Sequence, residues 1–174
     1  MFGFTQKTPK PEFKMPKPLK RHPALVPLSQ DHHFGLLLSW KIRKGINNKV
    51  GNKRIMDYLG YFMLEHLETH FQMEEEYLFA YLAKNDLLRK EAENQHEGLR
   101  ALYSKMAASP EVVEGDLREF ADGLESHIRF EERKLFPYIQ VELLEKDLRE
   151  FQEKMVEIHE KVKEDWQDEF WLKN

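Results

Sequence analysis

His70 and Glu74 stand four residues apart, and so do His127 and Glu131. The two pairs sit in stretches that repeat. Leu67 to Tyr81 and Leu124 to Tyr138 are offset by 57 positions and agree at eight of fifteen: Leu, Glu, His, Glu, Glu, Leu, Phe and Tyr. Four residues of helix turn through about 400°, so each imidazole and its carboxylate share a face, one turn apart. That face is apolar in both copies. Met63, Leu67, Leu78 and Tyr81 flank the first pair; Phe120, Leu124, Leu135 and Tyr138 flank the second. An ionised carboxylate turned into a core needs a proton or a cation beside it, and two of them in one core repel each other. A pair of metal ions between the two removes both costs, because each carboxylate can bridge.

Two more inward histidines are expected from the remaining helices. His96 is followed by Leu99 and Leu102 on adjoining turns. On the first helix His32 and His33 compete. The stripe from His32 runs through Leu36, Ser39 and Ile46, whereas that from His33 ends at Lys44 and Asn47, so His32 is the expected ligand and His33 its flank. Glu132 is an alternative to Glu131 as the bridge. His66, one turn before His70, is expected to support the ligands, with a fifth-ligand role left open. Glu75 and Glu132 are otherwise read as hydrogen-bonded supports or surface acids, Tyr81 and Tyr138 as core aromatics with a polar tip, and His22 and His159 as surface residues. Imidazole and carboxylate without thiolate suit iron or manganese, with zinc less well matched. Six protein ligands on two metals leave coordination positions for a small diatomic or peroxide ligand.

The elements that position these residues read as helices throughout. Ser29 is the expected N-cap of a first helix reaching Ile46, and residues 47–52 form a turn. A long second helix covers 53–84. Asp86 caps a third that ends near Ala108. Ser109-Pro110 opens a fourth, which Pro137 kinks or ends, and a last amphipathic stretch runs from 142 to 166. Four long helices with short connections predict an all-α, antiparallel up-down four-helix bundle with an additional C-terminal helix. Phe170 and Trp171 are expected to dock back on the bundle or on a partner. Residues 1–27, with Pro9, Pro11, Pro16, Pro18 and Pro23 among lysines, read as an extended arm, and residues 28–174 as the bundle with its extension.

The composition narrows the function. The chain has 174 residues, 41% hydrophobic, which suits one domain with a real core. With 27 Lys and Arg against 31 Asp and Glu the formal charge is −4, so no nucleic-acid partner is expected. There is no cysteine, which removes disulfides, thiolate nucleophiles and cysteine-held metals. No apolar run is long enough for a bilayer, and no secretory signal is recognisable, so no membrane association and a cytoplasmic location are expected. The protein partner is left unknown: the basic arm reads as a tail packed on its own domain or as a dock for an acidic partner.

On Asp31-His32-His33, His70-Phe71 with Glu74-Glu75, Gln95-His96-Glu97 and His127 with Glu131-Glu132, Leu135, Phe136 and Pro137, the chain resembles the hemerythrin-like (HHE cation-binding) family. The resemblance spans about Leu28 to Ile139. It implies a four-helix bundle around a non-haem centre of two iron ions, with Glu74 and Glu131 as bridging carboxylates and His32, His70, His96 and His127 as terminal ligands. Oxygen-carrying hemerythrins place a further histidine four residues after the one on the third helix; here Arg100 stands there. The pattern is closer to members with four histidines and two glutamates, some implicated in repair of iron centres. Ferritin-like bundles need Glu-x-x-His twice, and it occurs here once, ending at His96. Three classes of function follow: a module that binds or senses oxygen, nitric oxide, peroxide or iron; an enzyme acting on peroxide or nitric oxide, or donating iron; and a metal-free interaction bundle.

Overall fold

A computed structural model of the chain describes residues 20–172. The arm expected over 1–27 lies mostly outside the described residues. Its last part is helical, Pro23–Leu25 being a 3-10 turn. Helix α1 then runs Val26–Asn47, its N-cap at Leu25 standing four residues before the expected cap at Ser29. Pro27 in the first turn loses no helical hydrogen bond there. Ser29 lies inside the helix and donates to Glu132 Oε1 at 2.6 Å instead of capping.

The second rod is built from α2 (Asn52–Phe62), a π turn (Met63–Leu67), α3 (Glu68–Met73), a second π turn (Glu74–Leu78) and a 3-10 turn (Phe79–Tyr81). Asp86 accepts from the backbone N–H of Leu88 and Arg89, as a cap should, and α4 follows over Leu87–Ala108. Ser109 and Pro110 do not open the next helix. Ser109 closes α4, its hydroxyl donating to the Glu111 carbonyl at 2.6 Å, and α5 begins at Glu114. The fourth rod is α5 (Glu114–Phe130), a π turn (Glu131–Leu135) and α6 (Phe136–Glu142). Pro137 neither ends nor interrupts it. The proline follows a turn whose regular i→i−4 ladder is already broken, so it forfeits little by lacking an N–H. No strand occurs among the described residues.

Cross-links fix the directions. Ser29 meets Glu132 while Arg43 meets Asp122, so α1 and the fourth rod run antiparallel. Asp31 meets His70 while Lys41 meets Tyr58, which opposes α1 to the second rod. Arg89 reaches the Phe79 carbonyl and Arg100 reaches Glu68, which opposes α4 to the second rod. His96 meets His127 and Lys105 meets Asp116, so α4 opposes the fourth rod.

The interior divides into two apolar clusters with the polar site between them. One holds Leu38, Ile42, Tyr58, Phe62, Phe120 and Leu124; the other holds Leu25, Leu28, Phe79, Leu135, Phe136 and Ile139. Helix α7 (Glu145–Ile158) closes the second cluster with Leu148, Phe151 and Met155. It stops eight residues before the expected end at Trp166. Beyond it, side-chain anchors replace helical hydrogen bonds. His159 binds Asp31, Glu164 binds Lys41 and Tyr58, Asp165 binds Tyr61, and Asp168 binds Arg54. This strap returns along the bundle and buries Phe170 and Trp171 in the first cluster. Docking on the chain's own core is thus the outcome for these two aromatics.

Candidate metal centre

All four rods contribute to one buried layer. His32 comes from α1, His70 from α3, His96 from α4 and His127 from α5. Glu74 and Glu131 each occupy the first position of a π turn, Glu74–Leu78 and Glu131–Leu135, again 57 positions apart. The repeat seen in the sequence is therefore repeated in backbone geometry. Such wide turns gather at functional positions because the extra residue redirects a side chain that a regular helix would aim elsewhere.

Both glutamates are wholly buried and lie between two pairs of histidines. The Glu74 carboxylate is 3.4 Å from His70 Nε2 and 3.3 Å from His96 Nε2. Glu131 is 3.0 Å from His32 Nε2 and 3.3 Å from His127 Nε2. The donor atoms of His32, His70, Glu74 and Glu131 lie within 4.8 Å of one another, and so do those of His96, His127, Glu74 and Glu131. Two four-donor groups thus share both carboxylates.

Every imidazole is turned by a partner on its other nitrogen. His32 Nδ1 donates to Glu132 at 2.7 Å, His96 Nδ1 to Glu75 at 2.7 Å, His127 Nδ1 to Gln95 at 3.0 Å and His70 Nδ1 to Asp31 at 3.3 Å. A proton on Nδ1 leaves Nε2 as the ligating atom, and all four Nε2 atoms face the glutamates. The two outer glutamates are held in turn by arginines, Glu132 by Arg21 and Glu75 by Arg100. Burial would raise both carboxyls, but the His96 and Arg100 bonds on Glu75, and the His32 and Ser29 bonds on Glu132, hold each at about 2.

Electrostatics inside the layer call for positive charge. Burial, and then the facing Glu131 carboxylate, push Glu74 up. Burial opposes charge on His32 and His96 as well. Glu131 and Glu132 nevertheless raise His32 to about 10, and Glu74 and Glu75 raise His96 to about 9. Burial keeps His127 neutral, at about 3. The buried atoms left without a hydrogen-bond partner among the described residues include His32 Nε2, His70 Nε2 and all four oxygens of Glu74 and Glu131. Orphaned buried polar atoms are rare in folded proteins. Six of them aimed at one spot, all nitrogen or oxygen, fit divalent first-row metals.

The structure brings together the six residues singled out for ligation: His32, His70, Glu74, His96, His127 and Glu131. His33 is exposed on α1. Glu132 lies outside the ring of donors and orients His32. His66 belongs to neither donor group. His159 is no surface residue: its ring is almost fully covered and Nε2 donates to Asp31 at 2.9 Å. His22 is partly buried, its Nδ1 accepting from the Ala24 N–H at 3.1 Å. Tyr138 donates to Asp86 at 2.6 Å. Sequence reasoning missed the outer ring of Asp31, Gln95, Arg21 and Arg100. One signal existed, since Asp31 and Gln95 each immediately precede a ligand histidine.

A narrow cavity adjoins His32, His70 and His127, with about 10 Å³ open to the centre of a water-sized sphere. That is room for one small molecule. Its remaining walls are largely apolar: Gly35, Phe62, Leu67, Leu124, Ile128 and, from the strap, Val162.

A four-rod bundle whose buried layer offers two histidine pairs across two shared glutamates defines a metal-binding helical protein. The family profile for the hemerythrin HHE cation-binding domain matches residues 32–139 and again 93–170. The chain belongs to that family. Neither the curated proteins nor the solved structures compared with it yield a match. No helix among the described residues is long and apolar enough to cross a membrane.

Proposed function

We propose that the chain holds two iron ions between Glu74 and Glu131 and binds or senses a small ligand, such as oxygen, nitric oxide or peroxide, at the face that meets the cavity. The observation that carries this reading is the pair of four-donor groups sharing both buried carboxylates. Each ion would be held by two histidines and the two shared carboxylates, which would leave coordination positions free. Bound iron supplies reversible redox chemistry and a place for the ligand. The chain supplies the rest. The Nδ1 partners fix each imidazole, the two apolar clusters exclude water from above and below, and the cavity limits what reaches the site. Arg100, where oxygen carriers have a fifth histidine, is engaged by Glu68 and Glu75. The third rod therefore offers a single donor. The cavity that meets the layer has room for one small molecule, which favours binding or sensing over turnover.

Metal analysis and the optical spectrum test the reading together. Protein loaded with iron and exposed to air is expected to carry two iron ions per chain and to absorb in the near ultraviolet and visible, as an oxo-bridged diferric centre does. Less than one iron per chain would overturn it. His70→Ala and His127→Ala are expected to impair loading to a similar degree, because the two residues occupy equivalent places in the repeat.

A further inference from the structure

The near two-fold symmetry of the site breaks at one place. The π turns at Glu74–Leu78 and Glu131–Leu135 are partners in the repeat, but the third, Met63–Leu67, has none. The equivalent stretch lies inside α5, which is regular α-helix throughout. The unmatched turn carries His66, and the position 57 residues later is Gly123. The surroundings differ accordingly. A Cβ on Gly123 would meet Leu99 Cδ2 at 3.4 Å, so Leu99 occupies that side. On the His66 side lies the cavity.

His66 lines that cavity, and its Nε2 is buried without a hydrogen-bond partner among the described residues. The ring is wedged edge-on against Tyr61 and Phe62, with centroids 5.8 and 5.1 Å away. Neither neighbour offers it a polar contact. His66 also lines a surface groove beside the strap, together with Glu65, Thr69, Lys161 and Lys163. The inner cavity and the outer groove share Asp31, His66, His70 and Val162 as a common wall. Of the site histidines, both members of the His32/His70 pair border the cavity, but His96 does not.

From this geometry we propose that His66 is the residue that selects and holds the small ligand: a diatomic passes between the Met63–Leu67 turn with α3 and the strap, binds on the His32/His70 side, and accepts a hydrogen bond from His66 Nε2. The proposal rests on the reading of the layer as an iron centre. It adds which side is open, why only a very small molecule fits, and which side chain completes its binding. An unsatisfied buried donor is costly, and a ligand that accepts from it recovers that cost, so ligands lacking an acceptor atom are disfavoured.

Nitric oxide on the ferrous-loaded protein is the probe, with iron content measured alongside. His66→Leu is expected to keep its iron, to release nitric oxide about 10-fold faster, and to shift the N–O stretch to higher frequency, as loss of one hydrogen bond to the ligand requires. His66→Gln, which retains a donor, is expected to restore the wild-type stretch in large part. A His66→Leu protein with unchanged stretch and release overturns the assignment while leaving the iron centre standing. Loss of iron from His66→Leu overturns it differently, by making His66 a ligand. Iron-loaded wild type that binds no nitric oxide overturns both this inference and the proposed ligand binding.

Discussion

At the scale of single residues, the centre is a ring within a ring. The inner atoms are four Nε2 and two carboxylates, and the outer ones are Asp31, Gln95, Glu75 and Glu132 on the four Nδ1 atoms. The outer pairs obey the same symmetry as the inner ones. Glu75 and Glu132 are 57 apart, and each crosses to a histidine on a neighbouring rod. Removing an outer partner frees an imidazole to rotate and lowers its basicity, so Glu132→Ala is expected to weaken metal binding about 10–100-fold in a chelator competition. Arg43→Ala serves as contrast. Its partners Asp122 and Glu125 are on the surface, and the affinity is expected to stay as it is. The inner ring was legible because two matched His-x-x-x-Glu spacings on apolar stripes turn two carboxylates into one core, where cations must offset them. Of the outer ring, Glu75 and Glu132 were legible as hydrogen-bonded supports beside the bridging positions, but Asp31 and Gln95 were not. His159 reaches Asp31 across 128 residues, and no local spacing records such a pair.

At the scale of elements, the helices were legible and their irregularities were not. Apolar periodicity locates α1, the second rod, α4 and the fourth rod, but a π turn inserts one residue without changing residue types. The wide turns at Glu74 and Glu131 therefore leave no mark in the pattern. The strap escaped for another reason: its acids suit a solvated helix face equally well, and only the bundle's Lys41, Arg54, Tyr58 and Tyr61 decide for an extended path. Its aromatic anchor needs a glycine beneath it. A Cβ on Gly45 would stand 2.6 Å from Phe170 Cε2 and 3.0 Å from Ile55 Cδ1. Gly45→Ala gains roughly 0.5–1 kcal/mol of helix propensity. Overpacking costs about 1–3 kcal/mol, so a net loss of about 1 kcal/mol is expected in denaturant unfolding. Gly98→Ala, on the exposed face of α4 with nothing within 4 Å, should instead stabilise by roughly 0.5–1 kcal/mol. Equal effects of the two substitutions would contradict the docking of Phe170 against α1.

At the scale of the whole molecule, a layer holding two buried carboxylates sits between two apolar clusters and needs positive charge beside them with or without metal. In the metal-free protein protons do this work, since His32 is raised to about 10 and His96 to about 9 against an ordinary 6.5. A raised histidine contributes stability that is fully present below its unfolded value and is lost as the pH climbs through the folded one. The metal-free protein should therefore lose stability between pH 6.5 and pH 9–10. Metal binds the same nitrogens only after those protons leave. Affinity should therefore climb across the same interval, and the metal-bound protein should lack the alkaline decline. The thermal midpoints of the two forms should separate progressively from pH 6.5 upward. Calorimetric titration of ferrous iron at pH 7, repeated in buffers of different ionisation enthalpy, reads the exchange directly. The expected release is about two protons per chain that takes up both ions, one each from His32 and His96. Metal uptake with no proton release would mean that the layer is balanced in some other way, and that the inward imidazoles are not the groups that give way to the ions.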